Sequence, residues 1–161
     1  VVLGLFTWND YSFQTQANSE VDVEFSKWNN AADSFLLTYS VQPVWFSNPA
    51  PYPERTRHVA MQVSKLKNVC THVMYWSPDI VRWDSYEGPN PSGAKIASWS
   101  YDKNNITRRK IEGSRTSNPV VIPAPEDSTH ARMNLWLLNG LGPSNNKEVE
   151  VIIKSFNYIP L

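Results

Sequence analysis

Cysteine is nearly absent from this chain. Cys70 stands alone among 161 residues, so no internal disulfide exists and the fold must rest on packing. Buried filler in an apolar strand is the expected role of that thiol. Net charge is absent too: lysine plus arginine and aspartate plus glutamate are equal at 15 each. That balance excludes the single-sign field that would draw in nucleic acid or an anionic membrane, and it points to an uncharged partner. No apolar run approaches the roughly 20 residues of a membrane-crossing helix, so a soluble domain with no membrane partner is expected. No internal repeat, low-complexity tract or signal peptide is read in these residues. Residues 1–6 already read as a buried strand, which is how a truncated start would look.

Aromatics and proline, by contrast, are plentiful. Twelve prolines and frequent Asn, Ser and Asp clusters cut the sequence into short apolar pieces that leave little room for helices of about ten residues. The length suits one domain, 1–161, with a real core. Strands are predicted over 2–8, 20–27, 34–42, 58–64, 70–76, 80–86, 96–101, 131–138 and 148–158, which implies an all-β, antiparallel sandwich. Loops are predicted over 47–57, rich in proline around Tyr52, and over 103–128, long enough to be mobile or to fold over a binding face. The second holds Asn105-Ile106-Thr107, a glycosylation sequon that often arises by chance. Seven Trp and seven Tyr fit a carbohydrate binder, because sugar faces stack on flat rings, although a large sandwich core also consumes aromatics.

The segment Glu20-Val21-Asp22-Val23-Glu24 places an acid at every second position, and Phe25 continues the apolar set. In a strand, successive side chains point to opposite faces, so the acids share one surface while Val21, Val23 and Phe25 enter a core. Three like charges on one strand face conflict with β propensity, a conflict that commonly marks a functional position. Glycoside hydrolysis needs two carboxyls flanking the bond, and Glu20 and Glu24 have a spacing that permits either retention or inversion. Asp22 between them would raise the pKa of a neighbour and keep one Glu protonated as a general acid. A Ca²⁺ site and a plain solvated face are the alternatives, although adjacent same-face residues of one strand rarely wrap an ion. His58, His72 and His130 have no zinc spacing, no Ser or Cys has nucleophile context, and no metal or cofactor is expected.

At the acidic strand the chain resembles glycoside hydrolase family 16, whose active-site strand reads Glu-x-Asp-x-Glu with apolar x. Two later blocks share the resemblance in the family's order. Met74-Tyr75-Trp76-Ser77-Pro78 with Val81-Arg82-Trp83 is similar to its aromatic strand pair, and Met133-Asn134-Leu135-Trp136 is similar to its Met-Asn-Leu-Trp, followed by a closing strand. The resemblance spans nearly the whole chain. It implies a concanavalin A-like jelly roll with a glycan cleft on its concave face. It also implies a retaining reaction on a β-linked polysaccharide, with Glu20 as nucleophile, Glu24 as acid/base and Asp22 assisting. Export from the cell follows from that substrate class.

The family's strands preceding 2–8 have no counterpart here. The resemblance therefore implies a sandwich with a gap, one completed by a missing N-terminal segment or a second chain, or a processed product. Asn134 and Trp136 share a face that looks into the family's cleft, so both are expected to touch sugar. Trp28 and Trp8 are placed to stack at the cleft ends, with core packing as the alternative. Trp45 and Tyr52 read as loop anchors, and Trp76, Trp83 and Trp99 as core. Two other functions stay open: a glycan-binding module without catalysis, which needs only the aromatic face, and an inert fragment of a larger enzyme.

Overall fold

The computed structural model describes residues 1–13, 17–44, 55–62, 64–65, 68–104 and 122–161. Among them, eight strands form two antiparallel sheets. In chain order these are β1 (Val2–Trp8), β2 (Val21–Phe25), β3 (Phe35–Val41), β4 (Thr56–Ala60), β5 (Cys70–Ser77), β6 (Ile80–Glu87), β7 (Lys95–Asp102) and β8 (His130–Trp136). One sheet runs β4-β3-β2-β1-β8 and the other β5-β6-β7.

The apolar positions of alternating strands supply the layer between the sheets. From the first sheet come Val21, Val23, Phe25, Leu37, Tyr39 and Val41, and from the second Val81, Trp83 and Tyr101, all buried in one cluster. Tyr39 of the first sheet stacks on Trp83 of the second at 5.7 Å, and Trp83 on its cross-strand partner Trp99 at 4.9 Å, so one aromatic contact joins the layers and the next continues it within the second sheet. Three polar groups inside this layer are paired, the Tyr39 hydroxyl lying 2.5 Å from Ser85 Oγ, which lies 2.7 Å from His72 Nδ1, whereas the buried Trp83 Nε1 has no hydrogen-bond partner among the described residues. Burial pushes His72 down to about 4, so the ring is neutral at ordinary pH.

The structure is all-β, as the turn-rich, alternating sequence predicts, and the first eight predicted strands each have a counterpart. The ninth does not. Residues 148–158 form no ladder with any described residue, and Val149, Ile152, Phe156 and Tyr158 are exposed. Alternating apolar residues suit a strand, but a strand needs a hydrogen-bonded partner, and this run pairs with none among the described residues. The same lack is felt at β8, the sheet's edge strand, where every residue is exposed and Met133 and Leu135, facing the core side, are each 43% accessible. Cys70 departs from expectation as well, being half-buried at the start of edge strand β5 rather than enclosed. Trp83 is fully buried, whereas Trp76 and Trp99 pack against the core from its margin. Trp45, Tyr52 and the sequon at 105–107 lie outside the described residues.

Trp83 bridges both aromatic contacts with no accessible surface, so Trp83→Ala should destabilise the fold by about 3–5 kcal/mol in denaturant unfolding.

Candidate active site

β2 lies in the centre of its sheet, and its two faces have opposite fates. Val21 and Val23 are 0% and 4% exposed toward the core, while Asp22, on the other face, is only 2% exposed. Cross-strand register lines up the neighbours of the acids. Asn134, Gly4, Glu24, Thr38 and His58 form one row across the sheet, and Arg132, Phe6, Asp22, Ser40 and Thr56 the next. Gly4, Phe6, Trp8, Glu20, Asp22, Glu24, Arg132, Asn134 and Trp136 together line a cleft of about 290 Å³. Thus Glu20, Asp22, Glu24, Trp8, Asn134 and Trp136 converge on one site. Trp28 stands just outside the cleft and meets Trp136 edge-on at 6.2 Å, so it backs the wall rather than lining it.

Glu20 enters the cleft from an unusual turn. Ala17, Asn18 and Ser19 all have left-handed φ, at 48°, 61° and 53°, a conformation that costs non-glycine residues about 1 kcal/mol or more each. Hydrogen bonds from β1 and the turn after it hold it there. The Asn9 amide donates to Asn18 O at 2.6 Å, and Asn18 Nδ2 donates back to Asn9 O at 3.0 Å. Thr7 Oγ1 donates to Ser19 O at 2.7 Å and accepts from the Val21 amide at 3.0 Å, which stitches the chain on both sides of Glu20 to β1.

Asp22 is the best solvated of the acids by protein donors. Its Oδ2 accepts from Ser40 Oγ at 2.6 Å and from Gln42 Nε2 at 3.0 Å. Burial raises its pKa to about 6 against the pull of those donors and of a bond from Glu20. Glu20 is pushed up to about 9, first by burial, then by the charges of Asp22 and Glu24, and by its own hydrogen bond to Asp22. Glu24 is raised to about 8 by burial and by Asp22. At neutral pH the trio therefore holds one charge, centred on Asp22 and shared through the Glu20 bond, with Glu24 protonated. The arrangement supplies a proton donor and a shared carboxylate side by side.

Several cleft residues carried no flag in the sequence. Gly4 is one: a Cβ there would lie 2.6 Å from Asn134 Oδ1, so glycine lets that amide reach over β1. Arg132 is another, donating to Asp10 Oδ2 at 2.8 Å while its guanidinium stands 5.5 Å from the Trp8 ring, whose Nε1 donates to Asp10 Oδ1 at 2.7 Å. His58, 3.1 Å from Thr38 Oγ1, extends the Glu24 row outward. Period-two counting from Trp8 and Asn134 would have found Gly4, Phe6 and Arg132; Gln42 and His58 needed the register. Among the described residues, no three His, Cys, Asp or Glu side chains are grouped to hold a metal ion.

No family model, curated protein or solved structure matches this chain. Its chemistry is read from the cleft itself.

Because all three carboxyls are raised above their ordinary values of 3.8 to 4.5, the native state binds protons more tightly than the unfolded chain, and stability falls as pH rises from those values until the last carboxyl ionises near 9. His72, lowered toward 4, adds nothing above pH 7. The melting temperature should drop between pH 7 and pH 9. Glu20→Gln should flatten that slope and raise the pH 9 value by about 2 °C or more, as calorimetry across the range would record.

Proposed function

We propose that this protein is a retaining glycoside hydrolase of the family 16 type that cleaves β-linked polysaccharide outside the cell. The observation that carries the reading is the convergence of Glu20, Asp22 and Glu24 on one aromatic-walled cleft with unequal proton affinities. Unlike acids side by side are what double displacement needs.

In the first step the Glu20 carboxylate bonds to the anomeric carbon as the glycosidic C–O bond breaks and Glu24 gives its proton to the leaving oxygen. The proton shared by Glu20 and Asp22 rests on Asp22 at that moment, so that Glu20 is free to attack. In the second step Glu24, now a carboxylate, takes a proton from water as the water oxygen replaces Glu20 at the anomeric carbon, and Glu20 recovers its share of the Asp22 proton. Asn134 and the Trp136 ring, backed by Trp28, bind sugar on one side of the acids, and Trp8 with Arg132 on the other.

A further reading concerns what completes the sandwich. Exposed Met133 and Leu135 on an edge strand, and an apolar run at 148–158 that joins no ladder among the described residues, favour an additional strand-forming segment, from this protein or a second chain, over that face.

Release of reducing ends from a panel of β-glucans tests the enzyme reading. The unaltered chain should release them with retained anomeric configuration, and Glu20→Gln should lower kcat by about a thousandfold or more. Binding without turnover in both proteins would leave a glycan-binding module instead. The pH profile of kcat/KM should be a bell with limbs near 6, where the trio first gains its charge, and near 8, where Glu24 loses its proton.

A further inference from the structure

Gln42 sits where the chain leaves β3, beside the carboxyl trio, and is held on four sides. Its amide donates to Glu20 O at 3.0 Å, and its Nε2 donates to Asp22 Oδ2 at 3.0 Å. Its Oε1 accepts from the Val44 amide at 3.0 Å, and its carbonyl accepts from Arg55 Nη2 at 2.8 Å. One residue thus holds the main chain of one acid and the side chain of another. Three of these bonds are made within the first sheet or the turn leaving it, and the fourth leads away.

Arg55 is 0% exposed, an expensive place for a guanidinium, since taking such an ion out of water costs several kcal/mol. Three of its donors fix a strand end. Nε donates to Val41 O at 2.9 Å, Nη2 to Gln42 O, and Nη1 to the Tyr101 hydroxyl of β7 at 3.0 Å, with the guanidinium carbon 5.1 Å from that ring's centre. An apolar side chain would fill the same volume without the desolvation cost, and lysine lacks the planar fork that makes three such bonds in fixed directions. The bonds run Tyr101, Arg55, Gln42, Asp22, from the second sheet to the centre of the cleft.

We propose that Arg55 is a positioning residue for the carboxylate centre, clamping the end of β3 to β7 so that Gln42 holds Asp22 against Glu20. The proposal rests on the hydrolase reading for its catalytic meaning, but not for its physical test. Gln42 is the mediator: Arg55 touches no carboxylate of the trio through the bonds described, and acts on Asp22 through the Gln42 main chain.

Carboxyl-carbon NMR titration of the full chain tests this without turnover. The charged or titratable groups facing Asp22 are Glu24 on its own strand, Glu20 just before that strand and Arg132 on β8; Phe6 of β1 and Ser40 and Gln42 of the β3 side are uncharged. Gln42→Met removes a donor to the ionised form and should raise the Asp22 midpoint by about one unit. Arg55→Met should raise it in the same direction by about half a unit or more, and the double variant should exceed Gln42→Met by no measurable amount, because both changes act on one bond. An Asp22 midpoint unmoved by Arg55→Met, or additive shifts in the double variant, would overturn the proposal. Should Arg55→Met fail to fold, Tyr101→Phe decides: it deletes one acceptor, and a rise in the Asp22 midpoint supports the clamp while an unchanged one refutes it. On β-glucan, Arg55→Met should lower kcat by about tenfold to a hundredfold with KM little changed and move the acid limb of the profile upward. A chain whose titrations couple as described yet cleaves no glycan sinks the hydrolase reading and upholds Arg55 as the clamp.

Discussion

Everything in this fold answers to one strand that buries two incompatible faces. On the core side of β2, Val21, Val23 and Phe25 each contribute about 1.5–3 kcal/mol by leaving water. On the other side Glu20, Asp22 and Glu24 crowd together in a cleft that half hides two of them and fully hides the third. If all three were ionised there, desolvation and mutual repulsion would rival that apolar gain. Protonation resolves the conflict: the raised carboxyl affinities let the trio keep a single charge, so the apolar face wins and the strand stays in place. The residue of that compromise is a set of acids with unequal hold on their protons.

The surrounding structure is the scaffold for that compromise. Thr7 of β1 fastens the left-handed turn ahead of Glu20, Ser40 at the end of β3 and Gln42 just beyond it donate to Asp22, and Gly4 opens room for Asn134. The second sheet takes part through the core. Trp83 and Tyr101 support the underside of β2 and β3, and Arg55 carries the β7 contact to the cleft rim. The support is uneven, however: the three-stranded sheet does not cover the core-side residues of β8, which carries Asn134 and Trp136. The cleft thus has one wall anchored in the core and one standing at an open edge.

Alternation made the strands and the acid face legible in the sequence, because period two is a local property that Glu20 to Phe25 and Phe35 to Val41 both display. It also made 148–158 look like a strand, wrongly for this structure, since local pattern states an ability to pair and cannot supply the partner. Asn134 and Trp136 were found through their motif and line the same cleft as the acids. Gln42 and Arg55 were invisible for a different reason. Their importance comes from main-chain carbonyls and from a register that joins residues tens of positions apart, and no spacing rule marks a buried guanidinium. Cys70 was misjudged because apolar surroundings in sequence do not reveal that its strand lies at a sheet edge.

The central claim is that Glu20 attacks sugar covalently, and trapping the adduct tests it most directly. A mechanism-based β-glucoside inactivator that leaves a stable glycosyl ester, followed by peptide mapping with mass spectrometry, should place one sugar on the peptide containing Glu20, with fragmentation locating it on that side chain. An adduct on Glu24 or elsewhere, or none when the inhibitor is otherwise bound in the cleft, would contradict the account.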